Sequence, residues 1–166
     1  MAQRVTPVDI SDCEALSTAD RAYSSTLGVE PIIDRASVHF YQRSGHSFAA
    51  RGCPDDTGDS AHGAGTSGGL ERLAGFVLAH ASWSGGRPVV RVERLVTVPG
   101  CEAASGALVA AVVKSAYDAG VYDIVAAVPS TDAVAASALA GAAFGEDDVS
   151  VYVRVLGSRG SPSLGG

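Results

Sequence analysis

The stretch Val89 to Ala107, VVRVERLVTVPGCEAASGA, decides the fold. Its first ten residues place valines between polar and charged side chains, the period of a strand, and Pro99-Gly100 stops it. From Ala103 small and apolar residues recur at helical spacing to about Ala119, and Gly120 supplies the left-handed position beyond a helix end. A long apolar strand that breaks on Pro-Gly and feeds an Ala-rich helix is the unit around which the rest is arranged.

Upstream, Leu73 to His80 reads as another apolar strand, and the Ser84-Gly85-Gly86 turn joins it to Val89–Val98 as an antiparallel hairpin. Downstream, Val121 to Val128 reads as a buried strand ended by Pro129. Ser130 or Thr131 caps a fourth helix to about Ala143, and Val149 to Leu156 is the last strand. Near the start, Val5 to Val8 is a short strand, and Ser11 caps a helix to about Tyr23 with Glu14 completing a capping box. A second helix follows from Ile33 to Gly45, then a short strand from Ser47 to Arg51. The order β-α-α-β-β-β-α-β-α-β describes one α/β (α+β) domain over residues 1–156. Within it lies a loop insertion, 52–69, rich in Gly, Asp, Ser, Thr and Pro; a mobile tail, 157–166, follows.

Composition narrows the functional classes. The chain has 166 residues, a net charge of −6, 46% hydrophobic and 18% charged residues. Lys114 is its one lysine and no arginine run occurs, so no basic stripe is available for phosphates and nucleic acid is excluded as a partner. Ala and Gly account for 28 and 20 residues, so much of the apolar content is small-residue volume and the core must be closely packed. The fourth helix carries one charge, Asp132, between Ser130 and Phe144, which suggests a covered face or a contact between subunits of a homo-oligomer.

Cys13, Cys53 and Cys101 are widely spaced, with no C-x-x-C and no histidine at zinc spacing, so neither a disulfide framework nor a metal is expected. The start of the chain lacks the apolar core of a secretory signal, and no apolar run is long enough to span a bilayer. A cytoplasmic protein with no membrane association follows as the expectation. Gly63 to Gly68 matches G-x-G-x-x-G without the strand and helix a dinucleotide site requires, and Asp55, Asp56 and Asp59 lack EF-hand spacing.

The runs Ser44-Gly45-His46-Ser47-Phe48, Val112 to Tyr122 and Val153 to Gly160 resemble a small uncharacterised bacterial family described as GNAT-like, after the N-acetyltransferase superfamily. The resemblance implies a mixed, mostly antiparallel central sheet flanked by four helices. It also implies an acyltransferase that moves an acetyl group from acetyl-CoA to an amine, on a small molecule or a peptide. In active members of that superfamily the fourth strand splays from the fifth, the pantetheine arm pairs with strand backbone, and the pyrophosphate rests on amides at the next helix start. Carried onto this chain, main-chain groups of Val98, Ser105, Gly106 and Ala107 are the cofactor candidates. The loop departs from the family's [Gln/Arg]-x-x-Gly-x-[Gly/Ala]: Glu102 to Ala107 keeps the final small residue but brings a negative charge.

Glu93 stands where the family often has a strand carboxylate as general base. On an alternating strand it shares a face with Arg91 and Leu95, while Val90, Val92, Val96 and Val98 line the other with Arg94. The family's acid, a tyrosine on the fourth helix before a Gly-Phe pair, is replaced by Leu139 before Ala143-Phe144. His80 could face the substrate cleft or be satisfied structurally, Cys101 reads as packing, and Trp83 could cover an acceptor or anchor the turn. These departures keep a second reading in play, a non-catalytic GNAT-like binding or oligomerisation module.

Overall fold

The structure, a computed structural model, describes residues 3–52 and 72–146. Apart from Gly52, the insertion expected at 52–69 lies outside the described residues, as do the strand expected at Val149–Leu156 and the tail 157–166. Gly52 donates its N–H to Arg72 O at 3.0 Å, so the described segments meet where they break.

Among the described residues one sheet holds five strands in chain order: β1 (Arg4–Pro7), β2 (Phe48–Arg51), β3 (Leu73–Ser84), β4 (Arg87–Thr97) and β5 (Asp123–Ala126). Its first three junctions are antiparallel and the β4–β5 junction is parallel. Parallel neighbours need a crossover, supplied here by helix α3 (Ala103–Asp118). Helices α1 (Cys13–Leu27) and α2 (Arg35–Ser44) lie between β1 and β2 in the chain, and α4 (Ala133–Gly141) follows β5. The mixed, mostly antiparallel sheet with four helices is the expected fold class.

Side chains alternate across β3 and divide the core. Phe76 and Leu78 join Leu16, Ile33, Val38 and Val96 beneath α1 and α2. Val77 and Ala79 join Val90, Val92, Leu95, Leu108, Val112 and Leu139 beneath α3 and α4. The buried stripe of α3, Ala104, Leu108, Val112 and Ala116, repeats every four residues, and its alanines let the helix lie close to the sheet. Approach is closest at Gly75, where a Cβ would stand 2.5 Å from Val96 O and 3.3 Å from Leu108 Cδ1.

Several element boundaries differ from the sequence reading. The cap of the first helical segment is Asp9, not Ser11: Asp9 accepts from Ser11 N at 2.9 Å and Asp12 accepts from Asp9 N at 3.1 Å, closing the box earlier in the chain than Ser11 and Glu14 would. A 3-10 turn, Ile10–Asp12, then leads into α1, which runs past Tyr23 to Leu27 and stops at Gly28 with φ 67°. Likewise Asp132, not Ser130 or Thr131, caps α4 by accepting from Ala135 N at 2.9 Å. Serine, threonine and aspartate have similar capping strength, so neighbouring candidates are separated only by where the chain turns.

The larger correction concerns β4. Leu78 pairs with Arg94 but Ala79 pairs with Val92, leaving Glu93 as the extra residue of a β-bulge. Strand phase flips there. Val96 therefore falls beneath α1 and α2 and Leu95 beneath α3, the reverse of the unbroken alternation. Cysteine pairing also departs from expectation: Cys101 is disulfide-bonded and Cys13 is free, and the third cysteine, Cys53, lies outside the described residues. Sequence spacing carries no information on which sulfurs approach in space.

Candidate functional site

The sheet opens at the end of its parallel junction. Val89 to Val92 pair with Asp123 to Ala126, and a last bond runs from Ala127 N to Val92 O at 3.2 Å. Beyond it β4 continues to Thr97 against β3 alone among the described strands. Val98 N donates to Ala74 O at 2.9 Å, and its carbonyl accepts from Cys101 N at 3.0 Å. Val98, the expected main-chain contact, is thus fully engaged. The antiparallel ladder alternates, so the main chains of Leu95 and Thr97 point away from β3 into the opening. A cavity of about 980 Å³ lies there, between the end of β4 (Val96 to Pro99), the start of α4 (Thr131 to Val134) and one face of α1 (Ala15, Ala19, Tyr23).

The bulge places three polar side chains, Arg91, Glu93 and Arg94, on the α1/α2 side of the sheet. Arg94 is buried with its side chain 8% exposed, and its Nε lies 3.2 Å from Oδ1 of Asp20, whose side chain is 1% exposed. Its Nη2 donates to Glu30 O at 2.6 Å, and the guanidinium carbon stands 5.3 Å from the centre of the Tyr23 ring. Asp20 Oδ2 accepts from the N–H groups of Ile32 and Ile33 at 2.6 and 3.1 Å. Tyr23 in turn donates its hydroxyl to Asp132 at 2.8 Å, linking α1 to the start of α4 at the cavity wall. Burial, and then the hydrogen bond to Asp132 and its charge, push the Tyr23 phenol well above its ordinary range. This network was not foreseen. The available signal was Asp20 itself, an acid at the four-residue spacing of the buried stripe Leu16, Asp20, Ser24.

With Arg94 committed to Asp20, Glu93 is left without that arginine as a partner. Its side chain is 39% exposed, and its Oε1 lies 4.0 Å from Nδ1 of His80 on β3. Phe40 and Tyr41 of α2 flank the imidazole, with ring centres 5.4 and 6.2 Å away. Burial, and then the Glu93 charge, raise the Tyr41 phenol, which stays neutral at physiological pH.

The start of α3 is the other candidate region. Gly100 N donates to Glu102 Oε1 at 2.9 Å, and this backbone donation holds the Glu102 carboxyl below its ordinary range. Ala104 N reaches Cys101 O at 2.8 Å and Ser105 N reaches Glu102 O at 3.2 Å. Much of the first turn's donor capacity is already spent inside the loop. Ser105 and Gly106 line a groove of about 400 Å³ facing Ala133, Val134, Ser137 and Ala138 of the α4 region; Ala107 is not among its walls. Leu139 is packed in the core, so the fourth helix offers no proton donor at that position.

Two of the runs that carry the family resemblance meet at one buried contact. His46 Nδ1 lies 3.0 Å from Ser115 Oγ, whose hydroxyl donates to Val112 O at 2.9 Å, so the imidazole is the donor of the pair. Burial lowers the His46 pKa. The serine proton is committed, and the contact ties the start of β2 to α3. Among the described residues no three His, Cys, Asp or Glu side chains converge as a metal site, and no helix is long and apolar enough to cross a membrane.

Residues 33–165 match the model of a family described as a protein of unknown function, DUF1999. The crystal structure of wild-type TTHA1254 from Thermus thermophilus superposes with a TM-score of 0.67 at 30% identity, covering 94% of this chain and 99% of that one. A predicted acetyltransferase from Clostridium acetobutylicum, solved with acetyl-CoA, superposes with a TM-score of 0.63 at 11% identity, over 92% of this chain and 96% of that one. AAC(6')-Iy, solved with the bisubstrate analogue CoA-S-monomethyl-acetylneamine, gives 0.64 at 13% identity, over 94% and 99%. At those last two identities the likeness is one of fold. No curated protein matches the sequence.

Proposed function

The chain belongs to that family of unknown function and has the GNAT acetyltransferase fold; from this premise we propose an acyltransferase that moves an acetyl group from acetyl-CoA to an amine. The observation that carries the proposal is the coincidence of the β4–β5 opening with the bulge that presents Glu93.

The residues fit one part of the cofactor better than the other. A cavity of about 980 Å³ bordered by the edge of β4 that no described strand pairs suits a pantetheine arm, which the main chains of Leu95 and Thr97 would hold in place of Val98. At the anionic end, Ser105 and Gly106 border the groove toward α4, but Glu102 already takes the Gly100 N–H that a diphosphate would use. When bound, acetyl-CoA supplies a thioester carbonyl to an incoming nucleophile. Glu93, on the α1/α2 side, takes the proton that the amine sheds, and its partial exposure leaves that side open to an acceptor. Arg94 ties the bulge to α1 through Asp20 and so fixes the backbone that carries Glu93.

Titration of acetyl-CoA and CoA into the purified chain, followed by calorimetry and thermal unfolding, tests this. Saturating cofactor at 100 times its Kd raises stability by about 2.7 kcal/mol. No heat and no shift at millimolar cofactor would overturn the proposal.

A further inference from the structure

We propose that His80 is the positioning residue for Glu93: a carboxylate–imidazole pair at the β4 bulge, in which the Nδ1–H donates to the carboxylate and holds it in place. The role in acetyl transfer rests on Glu93 being the base, whereas the pairing stands on geometry alone.

His80 Nδ1 is buried without a hydrogen-bond partner among the described residues. A histidine satisfied structurally would have its ring nitrogen bonded to a carbonyl or hydroxyl, as His46 is bonded to Ser115. Glu93 Oε1 lies 4.0 Å from His80 Nδ1, beyond hydrogen-bond distance but within reach of a rotation of the exposed glutamate. The imidazole itself has little freedom, because Phe40 and Tyr41 pack against it from α2. The pair therefore consists of a fixed nitrogen and a movable carboxylate.

The other charged or titratable groups around it do not replace it. Arg94 is bound to Asp20 and Glu30 O, and Tyr41 keeps its proton. Arg91 lies opposite His80 in the ladder and forms no ion pair among the described residues. In the transfer, Glu93 takes the proton as the amine N–H bond breaks. The O–H bond formed then breaks as the half-exposed carboxyl passes its proton to solvent water, and the Nδ1–H stays in place to hold the carboxylate. No electron changes hands and no co-reactant is needed.

Proton NMR of the histidine ring N–H signals tests the pair on the unliganded protein. His80 is assigned by its contacts with the Phe40 and Tyr41 rings. In Glu93→Gln, whose substitution falls at a half-exposed position, the Nδ1–H signal of His80 moves upfield and exchanges with water faster, because its carboxylate acceptor has been replaced by a weaker, neutral amide. That of His46, bonded to Ser115, does not move. A His80 Nδ1–H signal unchanged between the two proteins overturns the pairing. Since neither cofactor nor acceptor is present, that failure is distinct from a failure to bind acetyl-CoA.

Discussion

The two faces of the sheet are built differently. Beneath α3 and α4 the contacts are apolar and small: Ala74, Ala79, Ala104, Ala116 and Ala135 stand among valines and leucines. Beneath α1 and α2 the same strands carry Arg94, Glu93 and His80, with Asp20 of α1 facing them, beside the hydrophobic cluster. The contrast teaches that chemistry and closeness of packing have been separated. One face is a tightly seated support, and the other holds the charged side chains that the bulge gathers.

The comparison breaks most visibly at Arg94. Its replacement by alanine leaves Asp20 charged and buried, and chemical denaturation should show a loss of about 3–5 kcal/mol. Replacing both partners with apolar residues, Asp20→Leu with Arg94→Met, should recover only part of that loss, because the N–H groups of Ile32 and Ile33 lose their acceptor. If the double variant is as unstable as Arg94→Ala, the face is held by the shape of the network and not by compensation of charge.

On the opposite face the corresponding test is steric. Gly75→Ala would push a methyl against Val96 O and Leu108, and overpacking of this kind costs about 1–3 kcal/mol by the same measurement. Little or no change would mean that α3 is seated more loosely than its alanines imply.

The smallest effect has the opposite sign. Ala143, just beyond α4, has φ 63°, and Phe144 N closes the helix end on Leu139 O at 3.0 Å. Ala143→Gly removes the Cβ from a left-handed position and should raise stability by about 0.5–1 kcal/mol. A loss instead would show that the methyl group contributes packing at the end of that face.

Much of the architecture was legible because apolar runs and Gly or Pro breaks mark element order directly. Pro99-Gly100 separates β4 from α3, and Gly120 separates α3 from the segment leading to β5. The bulge was not legible, since Leu95 and Val96 are both apolar and either phase of the strand reads as reasonable. That single extra residue moved Val96 to one face and Leu95 to the other. The site was legible in part: Glu93 could be singled out as a strand carboxylate, whereas its separation from Arg94 depends on Asp20, far earlier in the chain. That Val98 N is taken by Ala74 O was hidden for a related reason, because which strand claims an amide is a property of register, not of residue type.

The short parallel junction has a consequence for how the molecule folds and opens. β1 to β4 join as antiparallel neighbours, whereas β5 can add its four residues only after the chain has crossed through α3. That closure is entropically more demanding than the tight β3–β4 turn, so β5 is placed to join late and to be among the first strands to part. Amide exchange would therefore be faster along β5 than along the β3–β4 hairpin. A ligand could use that same low-cost opening to enter without disturbing the rest of the sheet.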